Sequence, residues 1–231
     1  ESVNLVGSEK GGTGQSPHNN LATTITDQLR IASNFQSKTV GVAIKDRASI
    51  LPAGHAATGA FWYNGQDGNF VTSTYYMKEL PEWAKRFNDK KVVDTYYKND
   101  WNTLYPINTY TLSTADDKEY ENTTNGEKNP VFPHLLKQFT GKNYGAVRTT
   151  PYGNTLTFDF AKAAIEGYNL GGGKVTDFLA VSFSSPDAIG HTYGPNAIEV
   201  EDNYLRLDKE LADFFTYLDK RFGKGNYLYF I

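Results

Sequence analysis

Two side chains that often bind metal ions, Asp187 and His191, stand four residues apart. They follow an apolar segment, residues 178–181, which has the pattern of a buried strand. A carboxylate oxygen and an imidazole nitrogen are both common zinc ligands, so the spacing predicts part of a metal site. An aspartate in a turn beside a solvated histidine would fit the same spacing. Because Pro186 and Gly190 disfavour a regular helix, we expect the pair to lie on a folded loop.

A second pair of polar side chains, Lys45 and Arg47, follows the apolar residues 39–44. We expect those residues to form a strand, and side chains at positions i and i+2 of an extended chain point the same way. A guanidinium group can bind two phosphate oxygens and an ammonium group adds a point charge, so the pair predicts an anion site. A surface charge cluster with Asp46 is the alternative. His55 is either a supporting group of the site or a structural histidine.

Both pairs follow the carboxyl end of a predicted strand, where an open α/β sheet places its chemistry. Helical and strand patterns alternate along the chain, which predicts a layered α/β fold with a mainly parallel sheet flanked by helices. Asn-Gly and Asp-Gly turns predict a β-hairpin over residues 60–77. The helical patterns cover residues 21–34, 77–88, 133–139, 155–168 and 197–222.

Composition limits the classes of function. The 231 residues suit one α/β domain, and we expect a polar, cap-like segment inserted in it at about residues 60–130. The absence of cysteine excludes disulfides, thiolate metal sites and a cysteine nucleophile. The net charge of -3 gives no reason to expect binding to nucleic acids or membrane surfaces. No apolar run reaches the ~20 residues of a membrane span.

The two ends of the sequence predict a piece of a longer protein. The chain opens at Glu1 rather than at a methionine, so its native start is expected to lie elsewhere. Residues 226–231 have the apolar pattern of a buried strand, and the chain stops inside that pattern. A domain seldom ends on a core strand with no loop after it.

Two longer motifs resemble those of a known family. Residues 186–195 read Pro-Asp-Ala-Ile-Gly-His-Thr-Tyr-Gly-Pro, and residues 45–55 read Lys-Asp-Arg-Ala-Ser-Ile-Leu-Pro-Ala-Gly-His. Together they resemble the alkaline phosphatase superfamily, and within it the PafA-type bacterial alkaline phosphatases, which use a threonine nucleophile. The similarity extends from about Leu21 to Ile231.

The resemblance implies a zinc-dependent phosphomonoesterase with two zinc ions in each active site. It assigns Asp187 and His191 to one zinc ion, and Lys45 and Arg47 to the oxygens of the phosphoryl group. It also implies that the nucleophile and the remaining zinc ligands lie outside this chain, because residues 1–20 contain no nucleophile motif. The chain by itself is therefore expected to be inactive and to bind zinc weakly.

Three interpretations of the function remain open. The favoured one is hydrolysis of small-molecule phosphate monoesters by the intact protein, since a lysine and arginine pair suits the charge of a monoester. The second is a phosphodiesterase or nucleotide pyrophosphatase of the same superfamily. The third is a noncatalytic core, or a homologue that binds phosphorylated ligands. The resemblance further implies a periplasmic or secreted protein, and the sequence leaves the oligomeric state open.

Overall fold

The computed structural model describes residues 2–123 and 127–231. The strands of this part are β1 (Leu5–Val6), β2 (Thr39–Ala43), β3 (Gly59–Asn64), β4 (Asn69–Ser73) and β5 (Phe178–Ser182). The α-helices are α1 (Ile25–Ala32), α2 (Asp46–Ala53), α3 (Glu82–Asp89), α4 (Val92–Tyr96), α5 (Tyr152–Tyr168), α6 (Ser185–Tyr193) and α7 (Ile198–Phe222). Short 3-10 helices span Ile107–Thr109, Lys137–Phe139 and Tyr144–Thr149.

The strands form one sheet in the order β1-β4-β3-β2-β5. β2 is parallel to both of its neighbours, whereas β4 runs antiparallel to β3 and to β1. The predicted layered sheet with flanking helices is confirmed, as is the hairpin, which supplies β3 and β4. The antiparallel pairs are confined to that side of the sheet. Ala43 pairs with Ser182, so the chain leaves β2 and β5 at the same edge.

The strand β2 is buried along its whole length, as expected for a parallel strand covered by helices on both faces. Helix α2 packs closely on one face because Gly41 has no side chain. A Cβ atom at Gly41 would lie 2.2 Å from the backbone oxygen of Ser49. This close approach holds the first turn of α2, which carries Arg47, next to the end of β2.

Two apolar clusters cover the two faces of the sheet, because successive strand residues point to opposite sides. On the side of α5, the rings of Phe70 and Phe160 stack with their centroids 3.7 Å apart. Phe87 meets Phe160 edge-on at 5.0 Å. The smaller cluster under α2 consists of Ile50, Ala53, Ala60, Trp62 and Val71.

Helix α7 anchors the polar segment that lies between α4 and α5. The buried carboxylate of Asp202 accepts hydrogen bonds from Trp101 Nε1 at 2.7 Å, the Leu104 N–H at 2.6 Å and the Tyr110 hydroxyl at 2.5 Å. Arg206 Nε donates to it at 2.6 Å. One carboxylate thus fixes three points of this segment. The cap-like segment at about residues 60–130 stays a prediction, and residues 124–126 of it lie outside the described part.

Four predictions from periodicity need correction. The helix predicted over 77–88 begins only at Glu82, since Pro81 disfavours helical backbone at the residue before it. Residues 226–231 form no strand, because they make no ladder hydrogen bonds with any described strand, and Leu228 is 90% exposed. The first helix begins at Ile25 rather than at residue 21, because the Thr24 side chain caps it by accepting from the Asp27 N–H. The helix predicted over 133–139 is a 3-10 turn of three residues.

None of the described helices is both long and apolar enough to cross a membrane.

Candidate active site

A cleft of about 930 Å³ opens at the edge of the sheet where β2 and β5 end. Because these strands are parallel neighbours, the segments that follow them lie side by side at its floor. All four predicted site residues line this cleft: Lys45, Arg47, Asp187 and His191. The structure therefore brings together two pairs that are far apart in the sequence, since Asp187 follows Lys45 by 142 positions.

The first pair lies at the start of α2. Lys45 is the N-cap residue and keeps an extended backbone, with φ −88° and ψ 135°. The expectation that Arg47 extends the strand is wrong, because α2 begins at Asp46. Asp46 favours this position: its carboxylate lies at the positive end of the helix dipole and accepts the Arg47 N–H at 2.6 Å. Arg47 is exposed, and no described carboxylate lies within ion-pair distance of its guanidinium group.

The second pair lies on α6, so the prediction of a folded loop is wrong. Pro186 occupies the first turn of this helix, where its missing N–H would be unpaired in any case and its fixed φ suits the helix. The helix ends at Gly194, whose φ of 97° favours glycine. Asp187 and His191 are four residues apart and therefore lie on the same face, one turn apart.

The carboxylate of Asp187 connects the two pairs. Its Oδ2 atom accepts a hydrogen bond from the Lys45 ammonium group, and its Oδ1 atom lies 3.3 Å from His191 Nε2. The hydrogen bond and charge of Lys45 lower the pKa of Asp187. This carboxylate is therefore an ionised acceptor at neutral pH. Its side chain is 53% exposed and that of His191 is 81% exposed, so both are open to a ligand in the cleft.

The chemistry and spacing of this pair fit one zinc ion. Two ligand atoms that each lie about 2.0–2.1 Å from a tetrahedral zinc ion are roughly 3.3 Å from one another. The observed separation between Asp187 Oδ1 and His191 Nε2 is 3.3 Å. Within the described ranges, no group of three or more His, Cys, Asp or Glu side chains could hold a metal ion. These two residues would therefore supply part of a zinc shell.

The cleft has one basic residue that sequence reasoning missed, Arg148. It belongs to the 3-10 helix Tyr144–Thr149 and is exposed. No motif surrounds Arg148 in the sequence, and only the packing of this helix beside α6 brings it to the cleft. The aromatic residues Trp62, Tyr63 and Phe183 also line the cleft.

Besides the exposed His18, two further histidines lie outside the cleft lining. His55 Nδ1 is 3.0 Å from Asp27 Oδ2, and its Nε2 atom is 2.8 Å from the Asn20 carbonyl oxygen, so it is a structural histidine. His134 was assigned no role in the sequence, yet it is buried between two carboxylates. Its Nδ1 atom lies 3.2 Å from Glu127, and its Nε2 atom lies 3.1 Å from Glu199. Its partners are 7 and 65 residues away, so no local pattern predicts them.

Comparison with known proteins identifies the family. The family model of type I phosphodiesterases and nucleotide pyrophosphatases matches residues 16–231. The chain belongs to this family. The resemblance to the alkaline phosphatase superfamily that the two motifs predicted is thereby confirmed.

Individual members of the family are similar over the whole chain. A protein of Myroides odoratus named calcium-transporting ATPase is 58% identical over 234 residues, and alkaline phosphatase PhoV of Synechococcus elongatus is 56% identical over 231 residues. The crystal structure of wild-type alkaline phosphatase PafA superimposes with a TM-score of 0.93 at 53% identity and covers 97% of the chain. A PafA variant with four substitutions gives a TM-score of 0.94. The chain spans 43%, 42% and 44% of the lengths of these three proteins.

Proposed function

We propose that the intact protein is a zinc-dependent phosphomonoesterase, and that its cleft binds the phosphoryl group of small phosphate monoesters. The proposal depends mainly on one observation: a cation and a side chain that can bind zinc both contact the same carboxylate. Asp187 contacts both the cation Lys45 and the zinc donor His191. An anion site beside a metal site is what the hydrolysis of a phosphate ester requires.

Two comparisons support this proposal. PhoV and PafA are both named alkaline phosphatases. In the PafA variant of known structure, a lysine and an arginine two positions apart are both replaced by alanine. Lys45-Asp46-Arg47 is the only Lys-x-Arg triplet in the present sequence, so it is the natural counterpart of that pair.

Lys45 and Arg47 would stabilise negative charge on the nonbridging oxygens of the phosphoryl group. Their electrostatic contribution is greatest where charge develops in the transition state. Arg47 can form two parallel hydrogen bonds with such oxygens. Lys45 has three N–H donors, so it can keep its bond to Asp187 while it binds a substrate oxygen.

Asp187 Oδ1 and His191 Nε2 would hold one of the two zinc ions. When bound, zinc supplies Lewis-acid stabilisation of charge on ester oxygens. A metal ligand must be deprotonated, and Asp187 is ionised at neutral pH, with its pKa lowered further by Lys45. We assign no nucleophile among residues 1–231, and the predicted threonine is placed outside them.

Phosphodiester hydrolysis is the second candidate, because the matching family model is that of phosphodiesterases and nucleotide pyrophosphatases. Full-length protein with added zinc should be tested on nitrophenyl phosphate and on bis(nitrophenyl) phosphate. The proposal expects the higher kcat/KM on the monoester, because Lys45 and Arg47 suit its additional negative charge. A preference for the diester would favour the second candidate. Turnover of neither ester would favour a noncatalytic, phosphate-binding role.

The remaining proposals concern partners and location. We expect small phosphate esters rather than nucleic acids or membranes as partners, since the net charge is -3. A periplasmic or secreted location is proposed from the family resemblance, and the absence of cysteine is compatible with it. Cell fractionation of the source organism with an antibody against the protein would test this. Recovery of the protein only in the cytoplasm would contradict it.

A further inference from the structure

The cleft has one cationic side chain beyond the pair that is proposed to bind the phosphoryl group. Its cationic side chains are Lys45, Arg47 and Arg148, and its acidic ones are Asp46 and Asp187. Lys45 is paired with Asp187. Arg148 has no carboxylate within ion-pair distance and no side-chain hydrogen bond among the described residues. An exposed guanidinium group without a partner is a binding group for an anion from solution.

Arg148 lies on a different wall of the cleft from Lys45 and Arg47, the residues proposed to bind the phosphoryl group. Lys45 and Arg47 share the start of α2, whereas Arg148 lies in the 3-10 helix that packs against α6 and α5. The 3-10 helix and the first turn of α6 both pack closely against the start of α5 because residue 153 is glycine. A Cβ atom at Gly153 would lie 2.1 Å from Ser185 Oγ and 2.9 Å from the Val147 carbonyl oxygen. The neighbour of Val147 in sequence, Arg148, is therefore held beside the first turn of α6.

This arrangement places cationic side chains on two walls of one cleft of about 930 Å³. A phosphoryl group at Lys45 and Arg47 leaves the alcohol part of its ester free to extend toward the other wall. We propose that Arg148 binds a second anionic group, a carboxylate or a phosphate, on the alcohol part of the substrate. The inference rests on the proposed function, and it makes phosphate monoesters of acidic alcohols the preferred substrate class.

Two esters that differ in one anionic group test this proposal. Glycerol 3-phosphate and 3-phosphoglycerate have the same carbon chain, but only the second bears a carboxylate. The full-length enzyme should hydrolyse 3-phosphoglycerate with the higher kcat/KM. Arg148→Gln should lower kcat/KM for 3-phosphoglycerate roughly three- to tenfold more than for glycerol 3-phosphate, because one charge-assisted hydrogen bond is lost. Arg148→Lys should restore part of the preference.

Controls keep the outcome interpretable. Arg86→Gln removes an exposed arginine of α3 that does not line the cleft, and it should not change the ratio of the two kcat/KM values. Raising the ionic strength should reduce the preference in the wild type, since Arg148 is exposed and its charge is screened. If Arg148→Gln lowers both values equally, or neither, the proposal is overturned.

A binding measurement separates this proposal from the proposed function. The affinity of both esters for full-length protein treated with a chelator can be measured by calorimetry without turnover. Tighter binding of 3-phosphoglycerate that is lost in Arg148→Gln supports the second anion site, even if the protein hydrolyses neither ester. Equal affinity of both esters for the wild type would refute it, even if the protein proves to be a phosphatase.

Discussion

The carboxylate of Asp187 accepts a hydrogen bond from the ammonium group of Lys45, 142 residues earlier in the chain. This contact joins the segment after β2 to the helix after β5. It further lowers the pKa of Asp187, the proposed zinc donor, while it holds in place Lys45, the cation proposed to bind phosphate. The two functions that the cleft is proposed to combine therefore share one carboxylate.

Replacement of Arg47 tests the proposal that Lys45 and Arg47 bind the phosphoryl group. Arg47→Ala should lower kcat/KM for a nitrophenyl phosphate monoester by about a hundredfold or more, because a cation that faces developing charge is lost. The fold should be unaffected, since the side chain is exposed and makes no ion pair in the described part of the chain. Steady-state kinetics of the full-length protein would measure the change. Arg86→Ala is the matched control, and unchanged kinetics in Arg47→Ala would remove that residue from the site.

The proposed zinc site can be tested by metal content. His191→Ala in the full-length protein should reduce the zinc retained after dialysis by about one ion per chain, since an imidazole ligand is lost. A chelator should abolish activity in the wild type, and added zinc should restore it. Atomic absorption would measure the metal. His18→Ala removes another exposed histidine that lies outside the cleft lining, and a loss of zinc equal to that in His191→Ala would argue against the assignment.

His134 should make the stability of the protein depend on pH in the alkaline range. Burial alone would lower its pKa, but hydrogen bonds to Glu127 and Glu199 raise the pKa of His134 from 6.5 to about 9. The protonated ring is therefore favoured in the folded state. Its contribution, on the order of 3 kcal/mol, is complete below pH 6.5 and is lost as the pH rises through about 9.

Denaturant unfolding of the full-length protein between pH 6 and pH 10 would measure this effect. The wild type should lose stability across that range, and His134→Gln should be less stable at pH 6 and show a flatter dependence. His55→Gln provides a comparison, since hydrogen bonding to Asp27 also raises the pKa of His55. A pH dependence in His134→Gln that matched the wild type would show that the buried cluster does not titrate as expected.

Asp202 should be a principal anchor of the segment between α4 and α5. Asp202→Ala leaves the buried indole N–H of Trp101 and the Tyr110 hydroxyl without their acceptor, and it removes the partner of Arg206. The expected loss is about 3–5 kcal/mol in the free energy of unfolding. Asp208→Ala lies on the same helix at an exposed position and should change it by less than about 0.5 kcal/mol. Similar melting temperatures for both variants would contradict the anchor role.

Local patterns predicted the elements that depend on local chemistry. The hairpin was predicted because Asn-Gly and Asp-Gly turns need few other contacts, and α7 because its apolar stripe is long. The residues of α6 were wrongly predicted to form a loop because Pro186 was taken to disfavour a helix. Pro186 lies in the first turn, where proline is favourable, and periodicity alone does not locate that turn. The strand prediction for residues 226–231 was wrong because a strand needs a neighbouring strand for its hydrogen bonds, and the apolar pattern does not show whether one is present.

The sequence by itself determined the α/β class, the strands that precede Lys45 and Asp187, and the two motifs that resemble those of the family. These features depend on the order and spacing of nearby residues. Only the tertiary structure showed that Asp187 bonds to Lys45, that Arg148 reaches the same cleft and that Glu199 encloses His134. Such contacts join residues that are distant in the chain, and the packing of the sheet and its helices sets their distances.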